Sequence, residues 1–324
     1  MIITRTPFRV SFAGGGTDLP AFFTAHGHGA VVSAAIRRYM YIAIHPYFHD
    51  KIRIKYSRTE DVAHADEVEH PLVRECLRRV GVDRGIEIAS FADVASGTGL
   101  GSSSAFTVGL LHALYTYRGV AISSQRLASE ACDIEINILG EPIGKQDQYA
   151  AAFGGLNRIC FQADGEVVIT PLPLDAAARR QLERCLRLYY LGGSRSASHI
   201  LKEQCRQLTN GSNDIKYDEL LTLTDRTAAA LCQADCTAMG SILHQGWLLK
   251  KELAHSISTP EIDRIYDRAR DLGATGGKLL GAGGTGFLLL WHEEHDALEK
   301  ALGLRTLPFQ LDRQGSTLVF YDAF

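Results

Sequence analysis

Gly97-Thr98-Gly99-Leu100-Gly101-Ser102-Ser103-Ser104-Ala105 lies between an alternating segment, residues 86–91, and a long apolar run, residues 105–117. As strand, glycine loop and helix, this stretch reads as a phosphate cradle. Glycines let backbone N–H groups turn toward an anion without side-chain clashes, and the helix that follows leaves N-terminal donors unpaired and a positive dipole end. Three serines opening the helix supply an N-cap and oxygens able to reach a phosphate-bound metal. The plain alternative is a glycine-rich turn capped by serine, and the segment alone does not separate the two.

The surrounding composition narrows the choice. At 324 residues the chain exceeds what one hydrophobic core usually organises, so two domains are expected. With 46% hydrophobic and 22% charged residues and a formal charge of −3, it reads as a globular binder of small molecules, with neither nucleic acid nor a membrane surface as partner. Its 7 cysteines are odd in number and form no C-x-x-C pair, which fits reduced thiols in a cytoplasmic protein. Cys232 and Cys236 lack a second pair of ligands nearby, so packing is the better reading than metal. The first residues lack the apolar core of a signal peptide, and no apolar run reaches the ~18 residues of a membrane span.

In chain order, residues 2–12 are predicted to form a strand with Pro7 at an edge or bulge. Ala13-Gly14-Gly15-Gly16-Thr17-Asp18-Leu19-Pro20 leads into a short helix over 21–26, for which Asp18 is a candidate cap. Three consecutive glycines cost unfolded-chain entropy that a simple turn does not require, so they also fit a ligand approaching the backbone. Residues 30–36, 39–46 and 51–56 read as strands, and 71–80 as a helix stopped by Gly81. A buried helix over 105–117 follows the cradle, then a helix over 123–139 capped by Ser123 or Ser124. After a short helix ending near Gly154, residues 157–161 and 166–171 pair as a hairpin. Pro171-Leu172-Pro173-Leu174 marks the expected domain boundary. Beyond it come a strand at 185–191, helices over 197–208, 217–232, 236–254 and 260–272, a glycine run at 276–286 opening into a strand at 287–291, a helix over 294–302, and strands at 306–310 and 317–321.

Three glycine-rich loops point to a nucleotide or phosphorylated ligand, but the common loop chemistries fail. Gly281-x-Gly283-x-x-Gly286 fits the dinucleotide fingerprint as a string, yet it opens a strand instead of a helix. Gly273 to Lys278 is one residue short of a Walker loop, and Leu279 stands where the metal-binding hydroxyl belongs. Protein-kinase signatures are missing too.

Taken together, Pro7-Phe8-Arg9-Val10-Ser11 with Gly14-Gly15-Gly16-Thr17-Asp18, the cradle, and Lys278-Leu279-Leu280-Gly281-Ala282-Gly283-Gly284-Thr285-Gly286 resemble the three ordered motifs of the GHMP kinases, the superfamily of galactokinase, homoserine, mevalonate and phosphomevalonate kinases. The resemblance runs from residue 7 to residue 287. Within the superfamily, Gly14–Pro20 with Gly144-Lys145-Gln146-Asp147-Gln148 most resembles bacterial D-glycero-D-manno-heptose 7-phosphate kinases. These transfer the γ-phosphate of ATP to the anomeric hydroxyl, giving a 1,7-bisphosphate on the route to nucleotide-activated heptose for capsule, LPS or S-layer glycan. The fold implied is α+β: an N-terminal domain over 1–172 of the ribosomal protein S5 domain 2-like kind and a ferredoxin-like C-terminal domain over 173–324, with ATP and sugar between them.

The resemblance also implies roles. Gly97, Gly99, Leu100, Gly101, Ser102, Ser103 and Ser104 would hold the ATP phosphates, and Ser103 with Glu135 would hold Mg²⁺, an ion suited by hard oxygen ligands. Asp147 would orient the sugar hydroxyl and accept its proton. Arg9 would lie near the transferred phosphate or the sugar, and Asp18 would contact sugar hydroxyls. Gly15 and Gly16 replace a Glu-His pair of galactokinases, which implies open room for a different sugar. By residue chemistry alone, Glu135 also reads as a solvated helix carboxylate and Asp147 as a cap on a helix beginning near Gln148. The third motif, in which Thr285 stands where many relatives have glycine, is expected to brace the nucleotide loop and close the site from the second domain, with no chemistry assigned to Thr285. A sugar phosphorylated at its far end needs a basic anchor, for which Ser194, Arg195, Ser198, His199 and Lys202 are candidates, a solvated helix start being the alternative. The expected partners are ATP and a sugar phosphate, with a homodimer left open. A kinase for fucose or unphosphorylated heptose, a noncatalytic sugar-phosphate sensor on the same scaffold, and more distantly a dinucleotide oxidoreductase are the competing readings.

Overall fold

The computed structural model describes residues 1–193, 198–209 and 213–322. In chain order the first half comprises β1 (Ile2–Ala13), α1 (Pro20–His26), β2 (His28–Pro46), β3 (Ile52–Lys55), β4 (Thr59–Val62), α2 (Pro71–Val80), β5 (Ile86–Ala92), α3 (Ser102–Tyr117), α4 (Ser124–Cys132), α5 (Gln146–Phe153), β6 (Leu156–Gln162) and β7 (Val167–Pro171). The second comprises α6 (Ala176–Cys185), β8 (Leu186–Tyr190), α7 (Ser198–Thr209), α8 (Asp214–Cys232), α9 (Met239–Lys251), α10 (Pro260–Asp271), β9 (Gly276–Leu279), β10 (Phe287–Trp291), α11 (His295–Leu302), β11 (Thr306–Pro308) and β12 (Thr317–Tyr321).

Among the described residues the strands make an eight-stranded and a four-stranded sheet. The larger one is built on β2, a continuous 19-residue strand where the sequence suggests two. No turn-forming residue interrupts Arg37-Arg38; the two arginines fall where the register with β1 shifts, an irregularity within one strand. The N-terminal half of β2 pairs with β6, its C-terminal half pairs with β5, and β1 runs antiparallel along both. Pro7, which cannot donate to the ladder, sits where the β1–β2 register shifts. The smaller sheet has the order β11-β8-β10-β9, so its strands lie fourth, first, third, second, all antiparallel, as in a ferredoxin-like domain. The fold is thus the α+β two-domain fold that the motifs imply. Sheet membership does not follow a division at 172/173 to the end of the chain, because β12 crosses back to pair with β1.

α3 packs against β1 and β2, and its side chains are apolar on nearly every face, with Val108, Leu110, Leu111 and Leu114 fully buried. The core beneath it continues into the second half through Leu243, Leu280 and Leu289, so the two sheets share one hydrophobic interior around the cleft. Ser123 accepts the Arg126 N–H at 3.2 Å and caps α4. Ser123→Ala is expected to cost about 1 kcal/mol of stability, read from the midpoint of urea unfolding. After α4 the chain does not stay α-helical to Leu139. Residues 133–138 form a π-helical turn, marked by the Leu139 N–H donating to the Ile134 carbonyl at 3.0 Å. No helix among the described residues is long and apolar enough to cross a membrane.

Candidate active site

The cradle leaves the edge of β5 and enters α3 at the mouth of a cleft of about 830 Å³, within the ~300–1,000 Å³ range of small-molecule sites. Arg9, Gly15, Gly16 and Asp18 from the first loop, Gly97, Gly99, Gly101 and Ser102–Ser104 from the cradle, and Glu135 and Asp147 all line it. Leu100, expected with them, is absent from the lining: its side chain is buried in the core and its carbonyl accepts the Arg9 N–H at 3.1 Å.

Arg9 holds the centre. Its guanidinium grips Asp147 with two parallel bonds, Nε to Oδ1 at 2.7 Å and Nη2 to Oδ2 at 2.6 Å, and donates from Nη1 to the Gly99 carbonyl at 2.6 Å. Bidentate pairing fixes both the direction and the plane of the carboxylate. Asp147 lies in the first turn of α5, whose cap position is Lys145, so the capping alternative falls away. Arg9 is nearly buried while the Asp147 side chain keeps 21% of its surface, so the carboxylate is the partner presented to the cleft.

Asp18 does not cap α1, whose N-cap is Leu19 without a side-chain bond. It is buried instead, with Oδ1 accepting the Gly16 N–H at 2.9 Å and Oδ2 accepting the Gln146 N–H at 3.3 Å. Burial raises its pKa against those bonds, and the charge of Asp147 adds to the rise. Beside Gly15, Ser11 Oγ and Gln146 Oε1 line the cleft without a hydrogen-bond partner. The room expected at Gly16 is not open: a Cβ there would come within 3.0 Å of the Tyr217 ring, which α8 inserts. The second domain thus fills the space beside Gly16.

Glu135 is 1% exposed, which overturns the solvated-carboxylate alternative. The π-helical turn adds a residue per turn and re-aims this side chain inward. Oε2 accepts from Ser103 Oγ at 3.3 Å and Ser104 Oγ at 3.2 Å, and Oε1 has no partner. Burial lifts its pKa to about 7, tempered by the Gln148 side chain and increased by Asp147. Two hydroxyls and a buried carboxylate with a vacant oxygen are a donor set for a hard divalent cation completed by outside ligands. Among the described residues there is no cluster of three or more His, Cys, Asp or Glu side chains that could hold a metal alone.

The third loop closes the cleft from the other side. Gly281 meets Gly99 so tightly that a Cβ on Gly99 would lie 2.5 Å from the Leu280 carbonyl oxygen. The loop thus abuts the cradle as expected, and the Thr285 hydroxyl has a partner elsewhere. It donates to the Gly192 carbonyl at 2.5 Å and ties the loop to the end of β8, while the backbone N–H of Phe287 reaches the Thr98 carbonyl at 3.3 Å. Of the anchor candidates, Ser194 and Arg195 lie outside the described residues, as does the side chain of Ser198. His199 and Lys202 are exposed and absent from the cleft wall, to which α7 instead contributes Leu201 and Gln204, three residues apart on one face. Two cations that the sequence did not mark take part in the wall: Lys278 on β9 and Lys250 on α9. Lys278 lies in the third motif without an assigned role, and Lys250 reads as one charge in the Lys250-Lys251-Glu252 run of an amphipathic helix.

With this geometry in view, residues 69–155 match the family GHMP kinases N terminal domain, and residues 227–303 match GHMP kinases C terminal. The chain is similar to the D-glycero-alpha-D-manno-heptose 7-phosphate kinase of Campylobacter jejuni, at 30% identity over 90% of this chain and 89% of that protein. It is also similar to the L-fucokinase/L-fucose-1-P guanylyltransferase of Bacteroides fragilis, at 27% identity over 88% of this chain and 34% of the larger protein. A solved D-glycero-D-manno-heptose 1-phosphate kinase from Bacteroides thetaiotaomicron superposes over 100% of both chains with a TM-score of 0.81 at 24% identity, a likeness of fold.

Proposed function

The chain belongs to the GHMP kinases, and from that premise we propose that it transfers the γ-phosphoryl group of ATP to the anomeric hydroxyl of D-glycero-D-manno-heptose 7-phosphate. The products are the 1,7-bisphosphate and ADP, and the bisphosphate would serve nucleotide-activated heptose for surface polysaccharide. The observation that supports this most is the presentation of Asp147 to the cleft by Arg9, which is itself bonded to the cradle at Gly99.

Phosphoryl transfer asks the protein mainly for positioning and charge neutralisation. The cradle backbone, with Ser102 to Ser104 at the start of α3, receives the ATP phosphates. Asp147 accepts the hydrogen bond of the anomeric hydroxyl, aims its oxygen at the γ-phosphorus, and takes the proton as the new P–O bond forms and the bond to the ADP oxygen breaks. An anomeric hydroxyl is more acidic than an ordinary alcohol, so a carboxylate already engaged by arginine suffices. Asp18, Ser11 and Gln146 face the sugar hydroxyls near Gly15 and Gly16. Ser103 and Glu135, with Ser104 beside them, are the residues that would hold Mg²⁺. When bound, the ion offsets the negative charge of the nucleotide phosphates.

The test is ADP release with ATP, Mg²⁺ and a panel of acceptors: the heptose 7-phosphate, free heptose, mannose, galactose, fucose and hexose 6-phosphates, with phosphorus NMR locating the new phosphate. Turnover confined to the heptose 7-phosphate with an anomeric product is expected. The similarity to an L-fucokinase supports a free sugar as second reading, and turnover on fucose or heptose in place of the phosphosugar would establish it. Tight ligand binding without turnover on any acceptor would mark a sensor instead.

A further inference from the structure

Lys250 and Lys278 are 8% and 6% exposed, yet both reach the cleft. An ammonium has three N–H donors. Lys278 Nζ donates one to the Phe12 carbonyl at 3.2 Å; Lys250 Nζ donates to the Leu279 carbonyl at 3.1 Å and to the Gly281 carbonyl. Donors on both therefore remain unfilled. Among the described residues neither makes an ion pair with a carboxylate, a rare state for a buried lysine. The charged groups around them are Arg9 and Asp18, and each other. Asp147 is occupied by Arg9, and Asp18 is held by backbone N–H groups, so the cations at this end of the cleft outnumber the carboxylates. Both lysines belong to the second domain; Lys278 reaches the end of β1, where the first loop begins, and Lys250 holds the third loop.

We propose that Lys250 and Lys278 form a second phosphate subsite, separate from the cradle, whose missing counter-charge is supplied by a phosphate group of a substrate. This rests on the kinase reading for the identity of the substrates, though not for the site itself. Two groups share the required chemistry: the phosphate carried by the acceptor sugar, and a γ-phosphoryl group leaning across from the cradle. Lys250 has a second consequence, because its bonds to residues 279 and 281 would couple occupancy of the subsite to the position of the third loop.

Burial, with Arg9, lowers the Lys278 pKa to about 7, and burial with Lys278 and Arg9 lowers that of Lys250 well below the ordinary lysine value. An anion arriving beside them raises both values, so binding at neutral to mildly alkaline pH takes up protons. Calorimetry of the full chain in buffers of different ionisation enthalpy reads that uptake directly and needs no turnover. The probes are heptose 7-phosphate, free heptose, ADP and a nonhydrolysable ATP analogue, titrated into the native chain and into Lys278→Met, Lys278→Arg and Lys250→Met. Loss of one charge-assisted contact is expected to weaken binding about tenfold or more in the Met variants and to reduce the proton uptake, with Lys278→Arg keeping most of the affinity. A loss confined to heptose 7-phosphate, with free heptose unchanged, assigns the subsite to the acceptor's phosphate. A loss for the ATP analogue and not for ADP assigns it to the γ-phosphoryl group. Unchanged affinity and unchanged proton uptake for every probe in folded Lys278→Met would overturn the subsite, whatever the acceptor panel shows. Should Lys250→Met fail to fold, the two Lys278 variants decide alone. Conversely, lysine-dependent phosphate binding without turnover on any sugar would leave the subsite standing and remove the kinase assignment.

Discussion

Asp147→Asn is expected to lower kcat by about 10²–10⁴-fold, the span of a lost general base, with little change in the KM for ATP. The amide is nearly isosteric, so Oδ1 still accepts from Arg9 Nε, whose bond in the native chain is 2.7 Å long. What disappears is the proton acceptor and the charge opposite a guanidinium that is itself nearly buried. Leaving that cation unpaired is the structural cost, and breaking a buried pair can reach about 3–5 kcal/mol. Thermal unfolding therefore accompanies the kinetics. A folded variant with near-normal kcat would remove the base assignment, whereas a variant that unfolds at the assay temperature would be replaced by one measured at lower temperature. Nucleotide affinity separates the two roles, since the proposed mechanism puts Asp147 on the acceptor side and the cradle on the nucleotide side.

Gly99→Ala is expected to lower kcat/KM by about 10²-fold, the size of effect that follows a displacement of about 1 Å among reacting groups. Gly99 has φ +85°, where an alanine costs roughly 1–2 kcal/mol. More important, the new methyl would lie 2.5 Å from the Leu280 oxygen and 2.8 Å from the Leu280 carbon. Both neighbours are backbone, so no side-chain rotation relieves the contact and the cradle must separate from the third loop. That separation pulls the Gly99 carbonyl from Arg9 and with it the orientation of Asp147. Gly119→Ala is the control: its φ is +69° but a Cβ there meets nothing within 4 Å, so it carries the backbone strain without the clash. Comparable loss in both variants would show that strain alone, and not the contact between loops, explains the effect.

Much of the fold was legible because the deciding signals are local. Pro71 with Gly81 bounds α2, Ser123 caps α4, and the apolar run from Ala105 to Tyr117 could only be a helix inside the protein. The order of three glycine loops carried the family resemblance and with it Arg9, Asp18, Glu135 and Asp147, all of which meet in one cleft. Elsewhere local chemistry admitted two answers. Asp18 and Asp147 both stand where a helix cap would, and only the path of the chain shows that Leu19 and Lys145 occupy the cap positions. For Glu135 residue chemistry alone favoured solvent, because carboxylates are seldom buried, whereas the resemblance pointed to the site, and the fold buries it in a π-helical turn.

By itself, then, the sequence determined the α+β class, most of the element order, the glycine-rich cradle and the acid-base candidate, but neither the single long β2 nor β4. Each depends on residues within a few positions of one another, or on motifs whose order survives without knowledge of the path. Tertiary structure alone decided that Arg9 grips Asp147 across 138 positions, that Tyr217 fills the space beside Gly16, that β12 returns to the first sheet, and that Lys250 and Lys278 turn inward to the cleft. A lysine on an amphipathic helix and a lysine on a buried strand look the same in one dimension. Their charge acquires meaning only when folding removes water from around them and sets both on the wall of one cleft.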